Sequence, residues 1–208
     1  MLKILIFGSS FVNHLEKFDK TKDKIHTVAG FSAQFIYKGY RGHSFDLFLD
    51  KPAILDEILQ CCPDYVFVLL GSNSITTRVN EASILDQARD FYKLFTDKLQ
   101  VLNPNAVLVA SQLPLRFVED TNNIHCTPPP EEYKRIRDKV NQKIKRLECI
   151  KNQHYMLLIA GKGRLDSKEY FGKDGVHFNH QGKELQLKLI KDTLAYILKK
   201  NKSNLPVV

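Results

Sequence analysis

The sequence predicts an α/β fold in which helices cover both faces of a mainly parallel sheet of about five strands. Two observations lead to this prediction. Short apolar runs of strand length end in turn residues, and stretches with apolar residues at three- and four-residue spacing separate them along the chain. A strand followed by a helix and another strand favours parallel pairing with right-handed crossovers.

The composition agrees with one globular unit. The chain has 208 residues, 43% of them hydrophobic, which is enough to bury a substantial core. Neither an internal repeat nor a linker divides it, so residues 1–208 are expected to form a single domain. No apolar run approaches the ~20 residues of a membrane-spanning helix, and the first residues lack the pattern of a signal peptide. We therefore expect a soluble, cytoplasmic protein, with the nucleus as a second candidate compartment.

The cysteine content and the net charge indicate which kinds of metal site, disulfide and binding partner are to be expected. The four cysteines lack the spacing of a metal site, and the adjacent pair among them is a poor start for a disulfide framework: Cys61, Cys62, Cys126 and Cys149. We expect reduced thiols, no bound metal and no cofactor. The formal net charge of +8 permits contact with nucleic acid or an anionic membrane without requiring it.

The first apolar run, residues 2–7, predicts a buried strand. It breaks at Gly8 and presents Ser9 and Ser10 at its carboxyl end, before a helix. Ligands and nucleophiles often lie at this position in open α/β sheets. The alternative for the two serines is helix capping.

Further elements follow in the first third of the chain. Residues 11–20 have the mixed pattern of a short helix, and the pieces 25–29 and 34–40 are both β-like, so that at least one of them should join the sheet. A second helix places its apolar side chains at helical spacing: Ile54, Leu55, Ile58, Leu59 and Cys62.

The middle of the chain contains the clearest strand. Residues 65–70 form an uninterrupted apolar run, as expected for a central parallel strand that is covered on both faces. The run leads directly into a Gly71-Ser72-Asn73-Ser74 turn. A long amphipathic helix is predicted over about 81–102, and the next strand over 106–112.

The last third predicts two helices, one strand and long loops. A polar, proline-rich loop over 121–130 leads into a helix, residues 155–160 read as a last short strand, and a loop runs to about residue 178. The first helix buries Tyr133, Ile136, Val140, Ile144 and Leu147. The closing helix buries Leu187, Ile190, Leu194 and Ile197.

Three turn segments lie beyond the carboxyl ends of predicted strands, where they can meet at one sheet edge: Gly8-Ser9-Ser10, Gly71-Ser72-Asn73 and Asp174-Gly175-Val176-His177. A serine nucleophile needs an imidazole to take its proton, and the imidazole needs a carboxylate to fix its tautomer. Asp174 and His177, three positions apart, can supply both groups within one turn of chain. A glycine N–H at Gly42 and the amide of Asn73 can stabilise an oxyanion.

These segments resemble the four sequence blocks of the SGNH (GDSL-type) hydrolase superfamily, in order and over nearly the whole chain. The resemblance implies a flavodoxin-like, three-layer α/β/α fold and ester hydrolysis through an acyl-enzyme. It implies Ser10 as the nucleophile, His177 as the base and Asp174 as the carboxylate that orients it. It also implies that the Ser10 N–H, Gly42 and Asn73 form the oxyanion hole.

Within that superfamily the chain is most similar to the esterase-like domains encoded by retrotransposon open reading frames. The segments that carry this similarity are Gly8-Ser9-Ser10-Phe11-Val12, Ser111-Gln112-Leu113-Pro114-Leu115-Arg116, the helix from Tyr133 to Leu147, and Asp174-Gly175-Val176-His177-Phe178-Asn179 followed by Gly182. The similarity implies that this chain belongs to a retroelement protein whose neighbouring parts bind RNA.

The chain departs from the superfamily at two positions. Ser9 and Ser74 stand where aspartate is usual, so neither position carries its usual charge. The retained Asn73 keeps the oxyanion donor. The departures predict that activity is slow or restricted to certain substrates.

Several residues keep alternative interpretations. Gly30 or Gly39 could take the place of Gly42, and the other histidines are expected to be surface or structural residues, with His43 and His180 closest to the site. One helix is dense in basic residues, which are expected on a solvated face or against nucleic acid: Lys134, Arg135, Arg137, Lys139, Lys143, Lys145 and Arg146.

Three functions from different classes follow. The first is a serine esterase acting on small or lipid acyl esters. The second is a basic accessory domain that binds nucleic acid or membrane and in which hydrolysis is marginal. The third is a flavodoxin-like nucleotide binder, which the lack of a glycine-rich phosphate loop disfavours.

Overall fold

The computed structural model describes residues 1–117, 127–151, 155–157 and 165–203. Within these ranges, six strands form one sheet. They are β1 (Leu2–Gly8), β2 (Ile25–Val28), β3 (Phe31–Gly39), β4 (Tyr65–Leu69), β5 (Val107–Ser111) and β6 (Tyr155–Leu157). Their order is β2-β3-β1-β4-β5-β6, and each pairs in parallel with its neighbours except for the antiparallel pair β2 and β3.

The helices lie between and after the strands. They are α1 (Ser10–Phe18), α2 (Phe45–Asp50), α3 (Ala53–Leu59), α4 (Glu81–Leu102), α5 (Pro130–Arg146), α6 (Glu148–Lys151) and α7 (His180–Ser203). Short 3-10 turns occur at Lys22–Lys24, Ser72–Ser74 and Lys168–Tyr170. No helix of the described chain is long and apolar enough to cross a bilayer.

Most predicted elements are confirmed. Both β-like pieces join the sheet, as the hairpin β2–β3, and α4 has the predicted bounds. The sequence analysis did not separate α2 from the loop before it. Residues 158–160 of the last predicted strand and residues 121–126 of the predicted loop lie outside the described residues.

Side-chain alternation along the strands builds two cores, one on each face of the sheet. Leu5 and Phe7 of β1 pack on one face against helices α2 to α5. Ile4 and Ile6 pack on the other face with residues of α1 and α7. The predicted three-layer α/β/α fold is therefore confirmed. The expectation that residues 1–208 form a single domain stays a prediction.

Three parallel strands end side by side at the edge where the predicted site residues follow. Gly8 at the end of β1 lies between Gly39 of β3 and Leu69 of β4. A Cβ at Gly8 would lie 2.1 Å from the Leu69 carbonyl oxygen, so only glycine allows the strands to approach this closely. The loops that follow β3, β1 and β4 therefore begin next to one another, at the carboxyl ends of these strands.

Candidate active site

Ser10 is the first residue of α1 and follows β1 almost directly. Its Oγ lies 2.8 Å from Nε2 of His177. Ser9 occupies the N-cap position, but its fully buried side chain makes no capping bond and its Oγ has no hydrogen-bond partner within the described residues. The strand-to-helix turn thus directs one hydroxyl, that of Ser10, at an imidazole.

His177 is held in turn by Asp174. The ring Nδ1 lies 2.7 Å from Asp174 Oδ2, and Asp174 Oδ1 accepts the backbone N–H groups of Val176 and His177, both at 3.0 Å. Burial raises the pKa of the Asp174 carboxyl, but the hydrogen bonds from His177 and from the backbone outweigh it and leave that pKa below its usual value. Because an ionised carboxylate only accepts, Nδ1 carries the proton and Nε2 is free to accept from Ser10.

A small hydrophobic cluster packs against the loop that carries Asp174 and His177. It joins α1 to the segment before α7 and consists of Phe11, Leu165, Phe171 and Phe178. The ring of Phe11 lies 5.6 Å from the His177 ring, centroid to centroid. Backbone bonds tie the loop further, from Gly172 N to the His177 oxygen at 2.7 Å and from Phe117 N to the Gly175 oxygen at 2.8 Å. The base is therefore held by packed structure on several sides.

Gly42 lies in the loop after β3 and lines the same pocket of about 520 Å³ as Ser10, Asn73, Asp174 and His177. All five residues predicted from sequence are thus brought together.

Neither of the two alternative glycines is among the residues that line the pocket. Gly39 ends β3, and a Cβ there would lie 2.7 Å from the Asn13 backbone nitrogen. Gly30 is in the β2–β3 turn, at the start of β3, and β3 runs parallel to β1. Gly30 is therefore at the opposite edge of the sheet from Ser10.

The side-chain amide of Asn73 is held at both ends. Its Nδ2 donates to the backbone oxygen of His43 at 3.1 Å, and its Oδ1 accepts from Nη2 of Arg116 at 2.6 Å. The next residue, Ser74, is buried, and its Oγ accepts from the Phe45 N–H at 3.0 Å, at the start of α2. An uncharged hydroxyl therefore accepts the hydrogen bond of the first backbone N–H of α2.

His14 lines the pocket although the sequence analysis placed it among surface or structural histidines. Its ring stacks on that of His177 with centroids 4.4 Å apart and planes at 20°. Burial lowers its pKa, and the nearby positive charges, His177 first among them, lower it further. His14 lies one helical turn after Ser10 on α1, and this spacing is the sequence feature that could have predicted its place beside the site.

The two histidines that were expected nearest the site have other roles. The His43 ring packs 5.3 Å from that of Tyr40, and only its backbone oxygen reaches Asn73. The His180 ring packs against Phe18 at 5.0 Å. His43 therefore contacts a site residue through its backbone, but neither of the two rings is among the residues that line the pocket, whereas the ring of His14 is.

Two arginines also line the pocket without having been predicted to, Arg41 and Arg116. Arg41 is exposed, whereas Arg116 is only 7% exposed. The described residues contain no group of three or more His, Cys, Asp or Glu side chains that could hold a metal ion. The polar side chains that line the pocket are thus two hydroxyls, two imidazoles, one carboxylate, one amide and two guanidinium groups.

Solved structures with this fold include a carbohydrate esterase of family 3 from Talaromyces cellulolyticus, 14% identical with a TM-score of 0.64, aligned over 96% of this chain and 99% of that one. A lipase/acylhydrolase from Enterococcus faecalis is 19% identical with a TM-score of 0.57, over 94% and 96%. A lipase from a goat rumen metagenome is 15% identical with a TM-score of 0.64, over 92% and 97%. At 14 to 19% identity these likenesses show the fold alone. No protein-family model and no curated protein matches the sequence.

Proposed function

We propose that this chain is a serine esterase that hydrolyses acyl esters through an acyl-enzyme, with Ser10, His177 and Asp174 as its catalytic triad. The observation that carries the proposal is the continuous chain of two hydrogen bonds, 2.8 Å from Ser10 Oγ to His177 and 2.7 Å from His177 to Asp174. Side chains from two separate segments form this chain, the start of α1 and the loop before α7, and the resulting hydroxyl–imidazole–carboxylate order is the one that nucleophilic catalysis needs.

The reaction proceeds in two halves. Ser10 Oγ attacks the ester carbonyl carbon while His177 Nε2 takes the hydroxyl proton, and the tetrahedral intermediate expels the alcohol, which receives that proton from His177. Water then attacks the acyl-serine, with His177 again acting as base, and releases the carboxylic acid and free Ser10. The ionised Asp174 stabilises the imidazolium that forms in each half.

The oxyanion of both intermediates is bound by the Ser10 N–H, the Gly42 N–H and the amide of Asn73. In support, all three residues line the pocket that contains His177. Asn73 has a second Nδ2 hydrogen beyond the one directed at the His43 oxygen. Preorganised donors of this kind typically contribute 10²–10³-fold each to the rate.

The substrate class is an acyl ester of acetyl or lipid type. Two of the structural neighbours are named as lipases and one as a carbohydrate esterase. The pocket of about 520 Å³ has room for an acyl group together with part of an alcohol. The chemistry itself requires neither metal nor cofactor.

The test compares hydrolysis of p-nitrophenyl acetate, butyrate and octanoate by the wild type, Ser10→Ala and His177→Ala. Ser32→Ala and His180→Ala are matched controls, because they remove the same groups outside the pocket. We expect each site variant to lose at least ~10³-fold in kcat and the controls to lose little. A kcat of Ser10→Ala that stays close to that of the wild type would exclude this mechanism.

The alternative proposal is a basic accessory domain of a retroelement protein that binds nucleic acid or an anionic membrane. The net charge of +8 favours it. Of the basic residues on α5, however, Arg135 and Lys139 are paired with Glu81, and Arg137 is buried. Binding of RNA or anionic vesicles that weakens with salt and survives Ser10→Ala, in a protein without esterase turnover, would favour this alternative.

A further inference from the structure

Arg116 is a buried cation that the proposed reaction does not use. It follows β5, is 7% exposed and lines the pocket that contains Ser10. Its Nη2 donates to Asn73 Oδ1 at 2.6 Å, its Nη1 donates to Thr127 Oγ1 at 3.2 Å, and its guanidinium carbon lies 5.5 Å from the centre of the Tyr133 ring. Its buried Nε has no hydrogen-bond partner within the described chain.

The other buried arginine of the described chain provides a contrast. Arg137 is 3% exposed and forms ion pairs with Asp138 and Asp166, both at 2.6 Å. Arg116 has no carboxylate partner in the residues described and donates to neutral oxygens instead. Among the described residues its directed hydrogen bonds therefore go to a neutral hydroxyl and a neutral amide, and the amide is that of Asn73 in the proposed oxyanion hole.

The two contacts of Asn73 allow one orientation of its amide. A guanidinium can only donate, so the atom it touches must be Oδ1, and the His43 carbonyl can only accept, so the atom it touches must be Nδ2. One Nδ2 hydrogen is then used by His43, and the other is left for a ligand. Removal of Arg116 would free the amide to rotate or flip.

We propose that Arg116 is a positioning residue of the oxyanion hole: it locks the Asn73 amide with its N–H toward the reacting carbonyl and polarises that amide through a charge-assisted hydrogen bond. This inference rests on the proposed esterase function. Withdrawal of electron density at Oδ1 makes the amide N–H a stronger donor.

The experiment is a double-mutant cycle on the full chain with p-nitrophenyl butyrate. Asn73→Ala should lower kcat by ~10²–10³-fold, since it deletes one oxyanion donor. Arg116→Met keeps the aliphatic stem and should lower kcat by ~10-fold or more with KM changed less than about threefold, since the contact acts in the transition state. In the Asn73→Ala background, Arg116→Met should change kcat by less than about threefold, because its target is gone.

Two further variants separate positioning from a general loss of structure. Arg116→Lys keeps the charge and a donor, so it should lose less in kcat than Arg116→Met does. Arg137→Met removes the other buried arginine and is expected to lower the unfolding temperature, with the same effect on kcat whether Asn73 is present or not.

The outcomes distinguish this inference from the proposed function. If the wild type shows no turnover, or if its turnover does not depend on Ser10, both the esterase function and the role of Arg116 are contradicted. An active wild type in which Arg116→Met leaves kcat unchanged contradicts only the role of Arg116. The same holds if Arg116→Met lowers kcat by equal factors with and without Asn73, because the residue would then act independently of the amide.

Discussion

Asp174 holds the short segment that carries His177 through three hydrogen bonds, two from His177 and one from Val176, although its own side chain is 52% exposed. One carboxylate oxygen accepts from the imidazole, and the other accepts two backbone N–H groups. The ring orientation is therefore built into the local chain conformation. At the scale of single residues, this geometry predicts how the activity changes when Asp174 is replaced and how it depends on pH.

Asp174→Asn should lower kcat by ~10²–10⁴-fold with little change in KM. The amide can keep a backbone hydrogen bond, but its NH₂ group cannot accept the Nδ1 proton of His177. The ring then favours the tautomer that places a hydrogen on Nε2, where the serine proton must go. Steady-state kinetics with p-nitrophenyl butyrate measure the effect, and an unchanged kcat would show that the carboxylate plays no part.

The pH dependence of the wild type should show a single rising limb. The pKa of Asp174 lies below its usual value, so this group is already ionised before any imidazole loses its proton. Since only neutral imidazole accepts a proton, kcat/KM should rise tenfold per pH unit on the acid limb and level off as histidine deprotonates. A flat profile through neutral pH would contradict the role of His177.

His14 stacks on His177 at a centroid distance of 4.4 Å and limits the tilt of the ring. His14→Ala should therefore lower kcat by about 3- to 10-fold, the loss expected for one aromatic contact. His14→Phe restores a flat ring without nitrogens and should stay within about twofold of the wild type. If the Phe variant is as slow as the Ala variant, the imidazole nitrogens act in the reaction and the stacking account fails. Both variants are measured under the conditions used for Asp174→Asn.

The sequence could identify the residues that lie next to strand ends but not those that meet them across space. Ser10, Asn73 and His177 follow turns at predictable places. Arg116 reaches the site through the packing of the segment after β5, which no local pattern encodes, whereas His14 lies one helical turn from Ser10 on α1. A single helical-spacing signal pointed to His14, and none pointed to Arg116.

At the scale of elements, the turn after β4 depends on Gly71. Its φ of +114° lies in a region that side chains avoid, and a Cβ there would lie 2.4 Å from the Phe45 ring. The close approach of α2 to this turn is therefore possible only with glycine. The Gly71-Ser72-Asn73-Ser74 turn is predictable from its residues, but α2 is not, because its six residues are too few for a helical pattern to be distinctive.

Gly71→Ala should destabilise the fold by about 3 kcal/mol or more, because backbone strain and the clash with Phe45 add. Gly30→Ala is the matched control: φ is +83° there, but nothing lies within 4 Å of an added Cβ, so only strain of about 1–2 kcal/mol is expected. Urea unfolding of both variants measures the difference. Equal losses would show that the contact with Phe45 contributes nothing.

At the scale of the whole molecule, a buried network anchors the end of α1 that lies away from Ser10. Asp19 follows α1, and its Oδ2 accepts from Tyr37 of β3 at 2.8 Å and pairs with His26 of β2 at 2.9 Å. Burial raises the pKa of Asp19, but hydrogen bonds from Tyr37, Thr21 and His26 outweigh it and lower that pKa from 3.8 to about 2. The carboxylate is therefore more stable in the folded chain than in the unfolded one.

This difference in the pKa of Asp19 predicts a pH dependence of stability. A lowered pKa stabilises the fold above the unfolded value, here by about 2 kcal/mol at neutral pH, and this contribution is lost as the pH falls from about 4 toward 2. Asp19→Asn should remove it and flatten the acid limb of a stability–pH profile. Asp192→Asn, in an exposed pair with Lys188, should change little. Equal profiles for both variants would contradict the account.

The layered architecture was predictable because apolar periodicity reports burial directly. The buried runs of β1 and β4 and the amphipathic faces of α4 and α5 specify a covered parallel sheet. The edge strand β2 was harder to assign, since its four residues alternate between exposed and buried and pair only with β3. β2 pairs with β3 as a hairpin across the two-residue turn Ala29-Gly30, a local pairing that apolar periodicity alone does not report.

The most direct test of the account is whether Ser10 becomes acylated. Wild type and His177→Ala are mixed with p-nitrophenyl acetate, quenched in acid, digested and analysed by mass spectrometry. The account predicts an acetyl group on Ser10 of the wild type and far less in His177→Ala, because only neutral imidazole activates the hydroxyl. Acetylation of another residue, or turnover without any acyl group on Ser10, would contradict it.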